Sequence, residues 1–417
     1  MAQLSDDCFA VGRGRMTAAE ALALLEDRLV AVTETEEVRL RAAPGRILAA
    51  DVIAERSVPP HDNSAVDGYA VRFADLAETG DTRLILAGRA AAGHPVGGPL
   101  PPRGAVRIFT GAPLPDGADT VMMQEDCREE DGNVVVPSGI VRGANRRKAG
   151  EDVALGATVL AAGRRLRPQD VGLIASIGRT TVPVYRRLRC ALFSTGDEIR
   201  DPGATLPAGC VYDANRHVLA ALMDSLGCAV DDLGILPDDR ATIHAALGDA
   251  ARTHDAIVTS GGVSAGEEDH VRAAVAAQGS IHFWQLAIRP GRPIALGQVG
   301  RAAFIGLPGN PAAMMVTFLR LARPALLSLA GCREITPTLF RVRAEFSYEK
   351  KKDRREWVRC RIVPGPDGVP QAIKFPREGA GILTSLVESD GLVELPEELT
   401  RLDPGTMVDF LPFSGVS

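Results

Sequence analysis

Residues 189–330 alternate short apolar runs with segments of helical spacing, and no other feature limits the fold as much. Cys190–Ser194, Ala256–Ser260 and Ala303–Ile305 read as buried strands. Residues 215–226 carry Leu219, Leu222, Met223 and Leu226 on one helical face and stop at Gly227, a residue suited to a left-handed cap. Asp238 or Asp239 can cap a helix whose Ile243, Ala246, Leu247 and Ala250 face inward. Residues 311–328 open with a proline, which fits a first helical turn. A further strand is expected over Ile281–Ile288. Such an order builds a mostly parallel, doubly wound sheet with helices on both faces.

The flanks differ in texture. Thr17-Ala18-Ala19-Glu20 is a capping box, and Leu22, Leu25 and Leu29 follow on one face, so a helix is expected over 17–31. From about 56 to 147, Pro and Gly recur between short β-prone runs, and after Gly331 strands and turns such as Pro364-Gly365-Pro366-Asp367-Gly368 return. At 417 residues the chain is too long for one ordinary core. The expected class is therefore multidomain α/β plus β. An N-terminal mixed linker domain spans 1–55 and 148–182, a small β domain 56–147, the α/β domain 183–331 and a C-terminal β-barrel-like domain 332–417.

Composition narrows the function. The formal net charge of −6 does not favour nucleic acid. No apolar run approaches the roughly 20 residues of a membrane span, and Met1–Ala10 carries no export pattern. Seven scattered cysteines with no Cys-x-x-Cys pair read as reduced thiols of a cytoplasmic protein. P-loop, dinucleotide and zinc motifs are absent.

Ligands of open α/β sheets bind beyond the carboxyl ends of the strands, and three polar, glycine-bearing loops fall there. They are Ser194-Thr195-Gly196-Asp197-Glu198, Ser260-Gly261-Gly262-Val263-Ser264 running on to Asp269, and Leu307-Pro308-Gly309-Asn310-Pro311. Glycine lets backbone approach a ligand, and a helix start offers free N–H groups to an anion. The acids Asp197, Glu198, Asp269 and Asp238 or Asp239 suit Mg²⁺ bridging to phosphate. Arg289-Pro290-Gly291-Arg292-Pro293 holds two guanidinium groups across a rigid turn, a fork that grips oxyanions. Polar loops at 59–71, 110–113 and 145–152 complete the set.

Together the motifs Asp62-Asn63-Ser64-Ala65-Val66-Asp67-Gly68-Tyr69-Ala70, Thr110-Gly111-Ala112-Pro113, Gly150-Glu151-Asp152, Ser194–Glu198, Ser260–Ser264, Arg289–Pro293 and Gly306–Pro311 resemble the MoeA family of molybdopterin molybdenumtransferases, related to the E domain of gephyrin. The resemblance runs from the N-terminal helix to about residue 400. It implies that the α/β domain looks like molybdopterin adenylyltransferase, and that the protein is a homodimer whose cleft lies between that domain of one subunit and the Asp62/Thr110 domain of the other. The implied reaction inserts molybdate into adenylylated molybdopterin, with Mg²⁺-dependent release of AMP. By matched position it makes Asp62, Thr110, Asp152, Glu198 and Asp269 catalytic, with Asp62, Glu198 and Asp269 on the metal. It places Ser194, Thr195, Gly196, Asp197, Ser260, Gly261, Gly262, Asp239, Pro308, Gly309 and Asn310 at the pterin substrate, and Arg289, Arg292 and Arg354 at molybdate. Other cofactor-biosynthesis proteins and apo-molybdoenzymes are the implied partners. Three departures stand out: the family usually has lysine where this chain has Arg292, often has it at Arg289, and often supplies a serine where this chain has Ala380. The alternatives are an adenylyltransferase, a catalytically idle scaffold and a tungstate-specific insertase.

Overall fold

The structure is a computed structural model that describes residues 15–262, 270–291 and 293–416, with backbone only at 283 and 284. The chain forms two compact units: Asp51–Ala161 with Arg167–Val182, and the remainder.

In the larger unit, a six-stranded sheet runs in the order Ala229–Leu236, Arg189–Thr195, Ala256–Ser260, Ala302–Leu307, Pro293–Val299, Gly279–Gln285. The first four strands are parallel, and the last two pair antiparallel. Side-chain alternation explains the two layers of helix. Ala191 and Phe193 of one strand meet Ile243, Leu247 and Val271 of helices Arg240–Thr253 and His270–Gln278. Cys190 and Leu192, between them, face Leu219, Leu222 and the residues of Pro311–Leu329. The last helix is long and apolar enough to cross a membrane by composition, but 94% of it is buried inside the protein, where it is the core helix. The N-terminal helix Ala18–Arg28 has the expected capping box and packs Leu25 into the same core.

The expected strand over Ile281–Ile288 ends at Gln285. The chain then bends, and Ile288–Arg289 pairs with Arg355–Val363 of the C-terminal segment. That segment is a closed ring of strands. Arg355–Val363 pairs with Gln371–Lys374, which leads through Phe340–Ala344, Met407–Pro412 and Gly391–Leu395 back to Arg355–Val363. Closure pairs these five strands into a ring, and the start of Arg355–Val363 takes Ile288–Arg289 as a further partner. Core helix and barrel are joined by a buried pair: Arg320 Nη2 lies 3.4 Å from Glu394 Oε2 and stacks 5.6 Å over the Trp357 ring.

The smaller unit holds a second six-stranded sheet, ordered Thr120–Met123, Gly68–Val71, Gly104–Ile108, Thr82–Ala90, Asn133–Val136, Arg128–Glu130. It is apolar on both faces: Tyr69 and Val71 enter one cluster, and Ala70 between them enters the other.

Candidate active site

The parallel strands of the larger unit end at a cavity of about 730 Å³. Its walls are the three expected loops, through Thr195, Gly196, Glu198, Ser260, Gly261, Gly262, Gly309 and Asn310. Glu198 is the most exposed to chemistry: among the described residues its carboxylate carries no hydrogen bond or ion pair. Its position depends on Gly196, whose φ is +146° and where a Cβ would lie 2.6 Å from Glu198 Oε2. Gly262, at φ +63°, has Val271 and Thr195 within 3 Å of where a Cβ would be. Bare backbone at both places keeps the cavity open.

Asn215 was not singled out from sequence and turns out to be central. Its Nδ2 donates to Ser260 Oγ at 2.8 Å and to the Gly309 carbonyl at 2.7 Å, tying two of the loops together, while its buried Oδ1 has no partner. The signal was an asparagine in the first helical turn after a strand. Asp213 also lines the cavity; it is held at 3.1 Å by Arg216, which also pairs with Asp201 and Asp232. Four of the expected substrate residues stand elsewhere. Ser194 is buried in its strand, its hydroxyl without a partner. Asp197 offers its carbonyl to Arg200, and Pro308 its carbonyl to Ser260. Asp239 corrects an expectation: its carboxylate accepts from Thr242 N–H at 2.9 Å and caps the helix, and Asp238 lines the cavity instead, accepting from Thr195 Oγ1 at 3.3 Å. Asp239→Ala is expected to lower thermal stability, the usual effect of a removed cap, with unchanged turnover. Thermal unfolding and an activity assay on the same sample check it.

A second cavity, of about 300 Å³, opens between the Arg289-Pro290-Gly291 turn and the barrel. Its lining includes the cations Arg289, Arg359, Lys374 and Arg377 and the carboxylates Glu356 and Glu378, an excess of two positive charges. The turn is pressed against the core helix: a Cβ on Gly291 would meet Thr317 Oγ1 at 2.7 Å. Arg354, expected here, does not line the cavity. Its guanidinium is consumed by Glu356, with Nε 2.9 Å from Oε1. Arg359 takes its place. It is 9% exposed, donates to the Gly379 carbonyl at 3.2 Å and keeps a buried Nε with no partner. Burial lowers the pKa of this guanidinium, so an anion beside it would relieve a desolvated charge. Ala380 contributes no side-chain donor, and its carbonyl accepts from Ala312 N–H at 2.8 Å. Asp269 and Arg292 lie outside the described residues.

In the smaller unit, the segments 58–64, 110–114 and 145–153 are laced together by backbone bonds, Asn63 bridging to Pro113 and Arg146 pairing with Ser64. Asp62 accepts from Ala149 N–H at 2.8 Å and pairs with Arg146. Thr110 donates both its N–H and its hydroxyl to Asp67 at 2.8 Å, which holds that carboxyl below its usual pKa. Asp152 is exposed, anchored through its N–H to the Val58 carbonyl. Among the described residues, no three His, Cys, Asp or Glu gather as a metal site.

Glycine loops and acids at the ends of parallel strands, beside a cation-rich cavity, are groups that can receive an anionic ligand in an α/β frame. Residues 16–178 match the MoeA N-terminal region (domain I and II), 191–328 a probable molybdopterin binding domain, and 341–413 the MoeA C-terminal region (domain IV). The chain is 37% identical over 401 residues to the molybdopterin molybdenumtransferase of Haemophilus influenzae, covering 96% of this chain and 99% of that one. It is 34% identical to molybdopterin molybdenumtransferase 2 of Mycobacterium tuberculosis over 380 residues, 89% of this chain and 93% of the relative. A crystal structure of the molybdopterin biosynthesis MoeA protein from Pyrococcus horikoshii OT3 superimposes with a TM-score of 0.81 at 27% identity, covering 96% of this chain and all of that one. The chain belongs to the MoeA family of molybdopterin molybdenumtransferases.

Proposed function

We propose that the protein inserts molybdate into adenylylated molybdopterin, releasing AMP and yielding molybdenum cofactor. The observation that carries this most is a shared wall. Gly379 and Ala380 line the cation-rich cavity, and Gly381 and Leu383, one and three residues after Ala380, line the acid-bearing one. A proton-free dianion matches the charge excess of the first. The second, lined by glycine backbone at Gly262 and Gly309, suits a phosphate-bearing pterin. Family membership over the barrel and the smaller unit as well as the α/β segment favours insertion over adenylyl transfer.

Glu198 and Asp238 supply hard oxygen donors in the larger cavity, and magnesium needs only one or two carboxylates when substrate phosphates and waters fill its remaining positions. The donor set therefore fits an ion that arrives with the substrate, and Glu198 and Asp238 would hold it. When bound it would neutralise charge on the pyrophosphate. The chain's own groups orient the ligand: Asn215 and Ser260 fix the loop geometry, the Gly262 and Gly309 N–H groups meet phosphate oxygens, and Arg289 and Arg359 present the oxyanion. Purified protein given adenylylated molybdopterin, magnesium and molybdate should release AMP and hand active cofactor to an apo-molybdoenzyme. AMP release without transferable cofactor would sink the proposal.

We further propose a homodimer in which Asp62 and Thr110 of one copy complete the cleft built around Glu198 of the other. The measurement mixes two inactive variants, Asp62→Ala and Glu198→Ala. Each heterodimer would then hold one intact and one doubly defective site, since closed two-fold symmetry exchanges the contributions. Activity should return to about half that of a wild-type dimer per heterodimer; none, with exchange demonstrated, would mean that each copy builds its own site.

A further inference from the structure

The smaller cavity contains a feature at odds with anion binding: a buried carboxylate in its wall. Glu356 is 1% exposed. Its two oxygens have different partners. Oε1 accepts from Arg354, which does not line the cavity. Oε2 accepts from the Tyr348 hydroxyl at 2.8 Å and lies 3.6 Å from Arg289 Nη1; both of those residues line the cavity. Oε2 is therefore the oxygen on the cavity side. The other carboxylate, Glu378, is similarly occupied, by Lys374 at 3.0 Å and Arg289 at 3.5 Å.

What a carboxylate oxygen does to a tetrahedral anion depends on whether the anion carries a proton. Phosphate keeps one at neutral pH and can donate it to a free carboxylate. Molybdate and sulfate carry none, so the same lone pair only repels them. A carboxylate left open in this wall would favour phosphate, an abundant competitor, over molybdate. Once the oxygen accepts from a hydroxyl, what faces the ligand is a phenol oxygen, neutral and a much poorer acceptor.

We propose that Tyr348 is a specificity-determining residue: by donating to Glu356 Oε2 it withholds a buried acceptor that would let protonated oxyanions into the cavity. The proposal rests on the smaller cavity being the oxyanion site. Burial and the neighbouring Glu356 raise the tyrosine pKa, so the hydroxyl remains a donor across the physiological range. The ring is held by an edge contact with Phe346 at 6.5 Å and by the Lys374 ammonium 5.5 Å from its centre, and neither needs the hydroxyl.

The test is calorimetric titration of full-length wild type and Tyr348→Phe with molybdate, sulfate and phosphate at neutral pH, with thermal unfolding as the check on folding. In Tyr348→Phe, molybdate and sulfate should each bind about tenfold more weakly, the cost of one charge-assisted bond lost beside the anion. Phosphate should bind as well as before or better, so the molybdate-to-phosphate ratio falls by about tenfold or more. Adding Glu356→Gln to that variant removes the exposed carboxylate and should bring the ratio back up. An equal change for all three anions, or none, overturns the proposal and leaves Tyr348 a packing residue. Failure of the wild type to bind molybdate at all is a different result: it removes the cavity's assignment, and the proposal with it.

Discussion

Glu198→Ala should lower magnesium-dependent AMP release by about 10²–10³-fold, the usual loss when a group acting on developing transition-state charge is removed. The expectation follows from geometry. The carboxylate faces the larger cavity with no partner among the described residues, so its removal breaks no packing and no network, and folding should be unaffected. Gly196→Ala offers an independent route to the same loss. Its new methyl would stand 2.6 Å from Glu198 Oε2 at a backbone angle that side chains rarely adopt, so the carboxylate must move although its chemistry is intact. A fall of about tenfold or more is expected, since small misplacements of a reacting group cost rate steeply. The neighbouring cap variant Asp239→Ala is the control. Wild-type turnover in Glu198→Ala at equal magnesium would falsify the role.

Arg359→Ala should raise the molybdate concentration needed for insertion by about ten- to a hundredfold, the equivalent of one charge-assisted contact of about 1.5–3 kcal/mol. Binding of adenylylated molybdopterin should change little, because Arg359 does not line the larger cavity. Arg289→Ala should act in the same direction but more weakly, because that side chain is 45% exposed and already near Glu356 and Glu378. Arg354→Ala separates the two ways an arginine can matter. It would free Glu356 Oε1 inside the wall without removing a cavity cation, so any loss should be accompanied by lower stability. Titration of AMP release against molybdate, with pterin saturating, distinguishes these cases. Half-saturation in Arg359→Ala equal to wild type would remove the arginine from the oxyanion site.

The frame was legible because its signals are periodic. Leu219, Leu222 and Met223 mark the inward face of Asn215–Ser225, and the Thr17/Glu20 box starts its helix as expected. The three ligand loops were legible because glycine and polar residues interrupt apolar strands at their carboxyl ends. Choices between neighbours were not. Asp238 and Asp239 can each cap a helix, and only the backbone direction after Leu236 decides which does. Arg354 directly precedes the strand Arg355–Val363 and Arg359 lies inside it. Trp357 to Cys360 is buried on both faces of a barrel wall, so no alternation distinguishes the arginine that faces a cavity. An arginine inside a run of buried apolar residues was the available clue. The roles of Glu356 and Tyr348 depend on cross-strand geometry that no local pattern encodes.

Ile288–Arg289 belongs to the sequence of the α/β segment but is laid onto the barrel as an edge strand, directly opposite Arg355 and Glu356. Inheritance by modules is thereby constrained. A fragment ending near residue 331 would keep the turn and lose the surface that shapes it, and a barrel grafted from a relative would have to bring its own carboxylate to Arg289 in place of Glu356. Chimaeras joined at that linker should retain fold and lose oxyanion selectivity, unless the residues at 288–291 and 354–359 travel together.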